Sequence, residues 1–437
     1  MFIPEGEDGF CAKTYYASKG IHILGYFEDY TALEIESNEN KPIYYYAVKI
    51  REALLSKMRI LLPQSQSSLV NGMLLSDKYS IDDDIKSDFK TIGMSHLLAL
   101  SGLQVSIISQ LIVMLFILLR VPKRFACLFS SIVIFFFMMI TGFPPSVVRA
   151  GIMSIIYLVG IFISRQPDSM NSLGLAVLIL SVPNPFAAGD IGLLLSFFAT
   201  LGIILLSDKI NNWFKDKTKN IQIARTLINS INSIIAVTLS ATVFTLPIIM
   251  LGFKTVSLIS PVSNVLLIFP STVMLSCAAV TLLLSFAGLF SFMAMPFALI
   301  TGIIANYMIS CSRLLSKVPY ASVSAGQPFV LLWIAGTLIL IAVSLLYKNK
   351  DAIRTASLLS VIVLCCGIIS YQFTQRGVTH FAVLDTGNGA SIVLVKDGHA
   401  ACLSCGGESV YSSKLLNYLN LYNIKNLDYM LIPDSSN

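Results

Sequence analysis

The sequence predicts a polytopic α-helical membrane protein of about ten membrane segments, with a small α/β extracytoplasmic tail and a partial β-rich head. Composition is the first reason: 55% of the 437 residues are hydrophobic and only 12% are charged, whereas roughly 25% of a soluble domain is charged. The second reason is the length of the apolar runs. Those at 97–119 and 231–251 exceed the ~18 residues that mark a membrane-spanning helix.

Four regions follow in order along the chain. Residues 1–50 are polar and rich in tyrosine, and their pattern predicts short strands followed by a helix that begins near Tyr44. Residues 51–95 are predicted to form amphipathic surface helices, interrupted near "LPQSQSS" and "SIDDD". Residues 96–372 form the membrane block. In the tail, 373–437, strand-like runs alternate with a helix at 412–420 and end in a strand at 428–432.

Basic residues occur in alternate loops of the membrane block. They follow the first, third and fifth spans and precede the last, whereas the loops at 141–145 and 183–185 have none. Because basic loops face the cytoplasm, the sequence predicts a multi-pass membrane protein with both termini extracytoplasmic. Arg313 and Lys317 fit this topology poorly, since they would lie outside.

Two membrane segments are predicted to be irregular. The fourth, at about 168–183, is short, and the stretch 258–290 contains Pro261 and Pro270, which favours a broken or re-entrant element. The head also has no apolar leader that would carry it across the membrane. We therefore expect either another route for the head or, preferably, a preceding helix that this sequence lacks.

Polar side chains recur near one level of the membrane block. They are His96, Arg149 and Asp190, with Ser260, Ser263 and Asn264 at the same depth. Ionisable groups in spans are costly and point to function, so the set favours a water-filled vestibule on the extracytoplasmic side. Snorkelling to the interface or helix-to-helix hydrogen bonding is the alternative for each residue taken alone.

Four motifs carry a resemblance to a known family. They are "GMSHLLALSGLQVS" (93–106), "TGFPPSVVRAGIM" (141–153), "DIGLLLSFFATLGI" (190–203) and "ISPVSNVLLIFP" (259–270). In order and spacing they resemble the signatures of the ComEC-type competence proteins, bacterial membrane channels for DNA internalisation. Residues 1–50 look like the remnant of the extracytoplasmic OB-type domain of that family, and 373–437 looks like a partial, degenerate metallo-β-lactamase-like segment.

The resemblance implies a channel lining. The implied positions are His96, Ser101, Gly102, Gln104, Arg149, Asp190, Ser196, Pro261 and Asn264. Gln104 stands where the family usually has His, and Leu194 where it has Gln, which weakens a polar lining there. The implied partners are single-stranded DNA and the lipid bilayer, together with other competence proteins or a separate nuclease.

The tail lacks the metal ligands that such a hydrolase requires. The degenerate motif positions are Asp385, Ala390, Ser404, Ile432, Asp434, Ser436 and Asn437. Ile has no lone pair, and Ser and Asn are weak neutral ligands, so we expect no metal, no other cofactor and no enzymatic activity. Cys402 and Cys405 form a lone C-x-x-C, a weak zinc signal that a coincidental or disulfide pair explains better.

Three other functional interpretations stay open from sequence alone. The same helical domain could serve a small-molecule or lipid-linked transporter, or the chain could be a non-functional fragment of a split competence gene. A membrane-bound hydrolase is a third class, against which the replaced ligands argue.

Overall fold

The computed structural model describes most of 41–324 and the strands between 377 and 431. Within 41–324 the described ranges are 41–165, 167–217, 225–253, 255–286, 292–318 and 321–324, and beyond 324 they are short. The strands expected at 1–40 and the last expected spans, within 325–376, fall almost wholly outside the described residues. The chain divides into two compact units, Met1–Ile248 with Ser257–Ala321, and Ile249–Val256 with Ser322–Asn437.

Helices dominate the first unit. In chain order they are α1 (Ile43–Leu61), α2 (Gln64–Leu75), α3 (Asp83–Thr91), α4 (Ser95–Leu98), α5 (Gly102–Leu118), α6 (Lys123–Ile140), α7 (Pro145–Phe162), α8 (Ser169–Ser181), α9 (Ile191–Lys217), α10 (Arg225–Phe253), α11 (Ser260–Ser285) and α12 (Ala294–Ser316). Two short strands, β1 (Thr255–Ser257) and β2 (Ser322–Ser324), form a two-stranded sheet; all of their residues except Ser257 belong to the second unit.

Six of the described helices are long and apolar enough to cross a membrane: α6, α7, α9, α10, α11 and α12. Two further apolar helices, α5 and α8, are shorter. The 13 residues of α8 extend only about 20 Å along a helix axis, so the fourth span is short, as expected. These helices confirm a polytopic helical membrane protein.

The exposed side of α6 shows which surface faces lipid. Phe125, Phe129 and Phe136 are 44–51% exposed, whereas Ala126 and Ser130, about 100° around the helix, are fully buried. Helices in a bilayer place small residues against one another, because close packing holds them together where lipid is as apolar as the side chains. The large apolar groups of α6 therefore face lipid.

The described part of the segment 258–290 is not broken, contrary to the expectation from its prolines. α11 continues without interruption over the 26 residues from Ser260 to Ser285. Pro261 lies in the first turn of the helix, where backbone N–H groups have no intrahelical partner to lose. Pro270 lies inside the helix, and the buried side chains of Leu267 and Met274 on either side of it keep that stretch packed.

The helix expected near Tyr44 begins at Ile43, and α1 and α2 form an antiparallel hairpin with a turn at Leu62 and Pro63. The Arg51 Nε donates a hydrogen bond to the Leu75 carbonyl at 3.1 Å. Not all of 51–95 is surface helix, however. Every residue of α2 from Ser67 to Leu75 is buried, because this helix is surrounded by the apolar side chains of α3, α11 and α12 that share its core.

Four strands form the sheet of the second unit: β3 (Thr379–Asp385), β4 (Ala390–Lys396), β5 (His399–Leu403) and β6 (Tyr429–Leu431), in that order. β3–β4 and β4–β5 are antiparallel, and β5–β6 is parallel. These strands match the expected strand-like runs of the tail, while the helix expected at 412–420 lies largely outside the described residues. One face packs Val393, Val395 and Cys402 against Leu419 and Ile424.

A surface pair joins β5 to the residue before β6. The Asp428 carboxylate accepts a hydrogen bond from the Ala400 N–H at 2.9 Å and lies 3.2 Å from His399 Nδ1. The Ala400 N–H and the His399 ring both stabilise the ionised carboxylate and lower the pKa of Asp428. His399 thus has a structural partner on the sheet surface.

Candidate functional site

The first turns of α5, α7 and α11 meet around the segment 93–102. A methyl group built on Gly93 would lie 2.9 Å from the Ser260 Cβ at the start of α11. The Ser146 hydroxyl in the first turn of α7 donates to the Leu100 carbonyl at 2.8 Å. Because α6, α8 and α10 alternate with them along the chain, we expect α5, α7, α9 and α11 all to begin on the same side of the bundle.

Gln104 fixes the shape of this segment. Its side chain is 1% exposed, its Oε1 accepts a hydrogen bond from the Ser101 N–H, and its Nε2 donates to the Leu97 carbonyl at 2.9 Å. Both ends of the amide are therefore bound to backbone just before α5. Gln104, in the first turn of α5, thus caps the start of its own helix. Its amide faces the backbone and not an open cavity.

Arg149 lies buried between α5, α7 and α9. It is 5% exposed, and its Nη1 donates to the Thr200 hydroxyl on α9 and lies 3.9 Å from the Met153 sulfur. The Thr200 hydroxyl in turn donates to the Ser196 carbonyl at 2.9 Å. The Arg149 Nε has no hydrogen-bond partner. A buried cation that is only partly satisfied is costly, so this residue is the most informative of the set.

Asp190 does not pair with Arg149. Its Oδ1 accepts hydrogen bonds from the Gly192 and Leu193 N–H groups, at 2.7 and 3.2 Å, at the start of α9. This is an N-cap, which also places a negative charge at the positive end of the helix. Thr200, which contacts Arg149, is ten residues further along α9, or about 15 Å at 1.5 Å per residue.

The start of α11 contains a second incompletely bonded polar side chain. Asn264 is 6% exposed and its Oδ1 has no hydrogen-bond partner. Its neighbour Ser263 bonds back to the Ile259 carbonyl at 3.1 Å, as serines in helices commonly do. Pro261 opens the same turn.

The remaining expected residues differ in exposure. The His96 side chain is exposed, and Ser101, Gly102 and Ser196 are half-buried. A methyl group built on Gly102 would lie 3.5 Å from Arg149 Nη2, so Gly102 and Arg149 are neighbours. The structure thus brings together Gly102, Arg149 and, through Thr200, Ser196, whereas Asp190 serves the start of its own helix.

Thr200 is the contact that the sequence did not single out. One sequence feature could have pointed to Thr200: it lies four residues after Ser196, so both residues are on one face of α9. A threonine in a helix is too common for that spacing to identify a partner for Arg149. The shared vestibule expected for the whole set stays a prediction.

Most of the degenerate metal-motif positions cannot be placed. Ser404, Ile432, Asp434, Ser436 and Asn437 lie outside the described residues; Asp385 ends β3 and Ala390 begins β4. Among the residues that the structure describes, no three His, Cys, Asp or Glu side chains are grouped as a metal site would require. Cys402 is disulfide-bonded and so cannot serve as a zinc thiolate.

Comparison with known proteins gives one family and one curated relative. The family model described as "Competence protein" matches residues 73–350. The relative is "ComE operon protein 3" of Bacillus subtilis (strain 168), 26% identical over 265 residues, which are 60% of this chain and 32% of the relative. The match thus spans about a third of that relative's length. No solved structure matches the chain.

Proposed function

Because this chain belongs to the competence protein family, we propose that its membrane block forms the path by which a single DNA strand crosses the bacterial cytoplasmic membrane. The observation that carries the proposal is the convergence of helix starts around 93–102, with the buried cation Arg149 beside them. DNA carries one negative charge per phosphate. A path for it needs positive potential at membrane depth, and helix N-termini and a guanidinium provide it.

The proposal includes a polar vestibule on the extracytoplasmic side. His96 and Ser101 would lie at its entrance, since both are accessible, and Arg149 would lie deeper. Asn264 supports the same interpretation, because its unsatisfied Oδ1 at the start of α11 is a group that water or a ligand can complete. Asp190 would contribute by holding the start of α9.

The proposal assigns no nuclease activity to this chain, so degradation of the second strand would fall to a separate protein. The replaced ligands of the tail support this assignment, since the degenerate motif positions keep two carboxylates, Asp385 and Asp434, and no histidine, which is too few ligands for a catalytic metal. Purified protein incubated with DNA and Zn²⁺ or Mn²⁺ is expected to leave the DNA intact. Cleavage that disappears in Asp434→Ala would contradict the assignment.

The decisive experiment is a deletion in a naturally competent host that carries this gene. We expect loss of internalised labelled DNA and of transformants, and recovery of both with the wild-type gene. Arg124→Met, which removes an exposed cation at the start of α6, should restore uptake fully, whereas Arg149→Met should not. Unchanged DNA uptake after deletion would contradict the channel proposal and favour a transporter of another substrate or a non-functional gene fragment.

A further inference from the structure

Arg149 has no counter-charge among the residues that the structure describes. Its Nη1 reaches only the neutral groups of Thr200 and Met153, and its Nε reaches none. Among the described residues no carboxylate forms an ion pair with it. Of the acidic residues along α9, Asp190 is bound to backbone N–H groups at the start of the helix, and Asp208 lies eight residues beyond Thr200, about 12 Å along the helix axis. A guanidinium that is 5% exposed is thus left without the partner that buried charges require.

The groups around the guanidinium add positive charge. α5 begins at Gly102, and Arg149 Nη2 lies 3.5 Å from where a methyl group on Gly102 would be. A helix start carries about half a positive charge, and the first N–H groups of a helix have no partner within it. Neither the Gly102 nor the Leu103 N–H has a hydrogen-bond acceptor among the described residues, since the Gln104 amide takes only the Ser101 N–H.

This positive corner is accessible from solvent. Ser101 and Gly102 are half-buried, and Leu103 is 39% exposed. Gly102 has no side chain of its own to cover these N–H groups, and the Ala150 Cβ and the Arg149 Nη2 lie 3.5 Å from where its methyl group would be. An oxyanion could therefore approach the start of α5 and accept hydrogen bonds from the backbone and from the guanidinium beneath it, the arrangement by which helix starts bind phosphate.

We propose that the first turn of α5 at Gly102 and the guanidinium of Arg149 bind one phosphodiester oxyanion. Resting on the proposed function, the ligand is a backbone phosphate of the translocating DNA strand. A phosphodiester carries a single negative charge, which matches the single unpaired guanidinium. Phosphate contacts of this kind are independent of base sequence, as a path for arbitrary DNA requires.

The test compares four proteins in nanodiscs of uncharged lipid: wild type, Arg149→Met, Gly102→Ala and, as the matched control, Arg124→Met. The probe is a fluorescent oligothymidylate titrated at several salt concentrations. Loss of one phosphate contact should reduce the slope of log affinity against log salt by about 0.7, so Arg149→Met should show that reduction and Arg124→Met should not.

Gly102→Ala tests the site without removing a charge. Its methyl group would make ordinary contacts of 3.5 Å with Ala150 and Arg149, so the fold should persist while the oxyanion is displaced. We expect weaker oligothymidylate binding with an unchanged thermal unfolding temperature. Wild-type affinity and salt slope in both Gly102→Ala and Arg149→Met would overturn the proposal.

An experiment with inorganic sulfate tests the oxyanion site independently of the proposed DNA path. At constant ionic strength, sulfate should raise the unfolding temperature of the wild type more than that of Arg149→Met. If it does so while oligothymidylate fails to bind, the oxyanion site stands and the DNA path does not. If phosphatidylglycerol nanodiscs give the same Arg149-dependent stabilisation and oligothymidylate does not compete, the ligand is a lipid headgroup and the DNA assignment is wrong. No Arg149-dependent effect of any of these anions would overturn the site itself.

Discussion

Gln104 illustrates how a single buried amide shapes the candidate site. Its two hydrogen bonds hold the backbone at Leu97 and Ser101, and this backbone carries His96 to its exposed position and sets where α5 begins. A residue expected to line a cavity thus acts, in this geometry, on the positions of its neighbours.

We predict that Gln104→Ala destabilises the protein by roughly 2 kcal/mol, because it leaves a buried N–H and a buried carbonyl without partners. Thermal unfolding of purified protein in detergent measures the effect. The matched control is Gln110→Ala on the exposed side of α5, which should change stability by less than about 0.5 kcal/mol. Equal stability of the two variants would contradict the capping role.

Asp190 allows its capping role to be separated from its charge. Asp190→Asn keeps an oxygen for the Gly192 and Leu193 N–H groups, whereas Asp190→Ala removes it. We predict a loss of about 1 kcal/mol for the alanine variant and little loss for asparagine, measured by thermal unfolding. If DNA uptake falls equally in both while stability falls only in alanine, the charge itself has a role in transport.

At the scale of elements, glycine determines how closely two membrane helices approach. A methyl group on Gly202 in α9 would collide with the Ser240 carbonyl of α10 and lie 2.9 Å from Phe244. Backbones approach this closely only where a side chain is absent. The contact between α9 and α10 therefore depends on Gly202, whereas Gly151 of α7 lies against the flexible Met138 side chain of α6, which can shift.

Gly202→Ala should destabilise the protein by roughly 1–3 kcal/mol, because the added methyl group overpacks a helix contact that includes rigid backbone. Gly174→Ala in α8 is the control, since its methyl group would meet nothing within 4 Å. This second substitution should be neutral or slightly stabilising, because alanine favours the helix. Thermal unfolding of both variants in the same detergent measures the difference, and a similar loss in both would contradict close packing at Gly202.

At the scale of the whole molecule, the alternation of helices decides which loops share a side of the membrane. Phe143, Phe186 and Leu258 are exposed residues in or next to the connections that precede α7, α9 and α11. Arg120 and Arg165 are exposed in the connections that follow α5 and α7. The first group should lie on one side, expected to be extracytoplasmic, and the second on the other.

Single cysteine substitutions at those five positions, in a variant without the eight native cysteines, test which side of the membrane each position faces. A membrane-impermeant maleimide added to intact cells should label the first group and spare the second, and both groups should be labelled after the membrane is dissolved. Labelling of Leu258→Cys with the Arg120→Cys group would contradict a single crossing by each helix from α5 to α10.

Arg313 and Lys317 remain an exception to the charge rule on this topology, and the structure offers a reason. Arg313 at the end of α12 lines a polar cavity together with Asp82 and Asp84, and the nearby Ser316 hydroxyl donates to Asp88 at 2.6 Å. The basic end of α12 thus faces the acidic start of α3. Its positive charge is offset locally, which weakens its influence on orientation.

The sequence by itself determined the class of the protein, most of the helices that the structure describes and the tail strands. Apolar length and the small number of charges require membrane helices, because backbone groups in lipid must be bonded within the segment. Period-two alternation and turn residues located β3, β4 and β5. The residues His96, Arg149 and Asp190 stood out because ionisable groups are rare in such helices.

Only the tertiary structure decided what those residues contact. Proline content suggested a break in 258–290, but a proline in the first turn loses no hydrogen bond, and packing on both sides of Pro270 keeps α11 continuous. Polarity suggested that 51–95 lies at the surface, but contacts between helices distant in sequence bury α2. The partner of Arg149 is 51 residues away on another helix, and local sequence carries no information about such a distance. The chemistry of a side chain is set by its residue type, whereas the partner of a buried side chain depends on which helices the fold brings together.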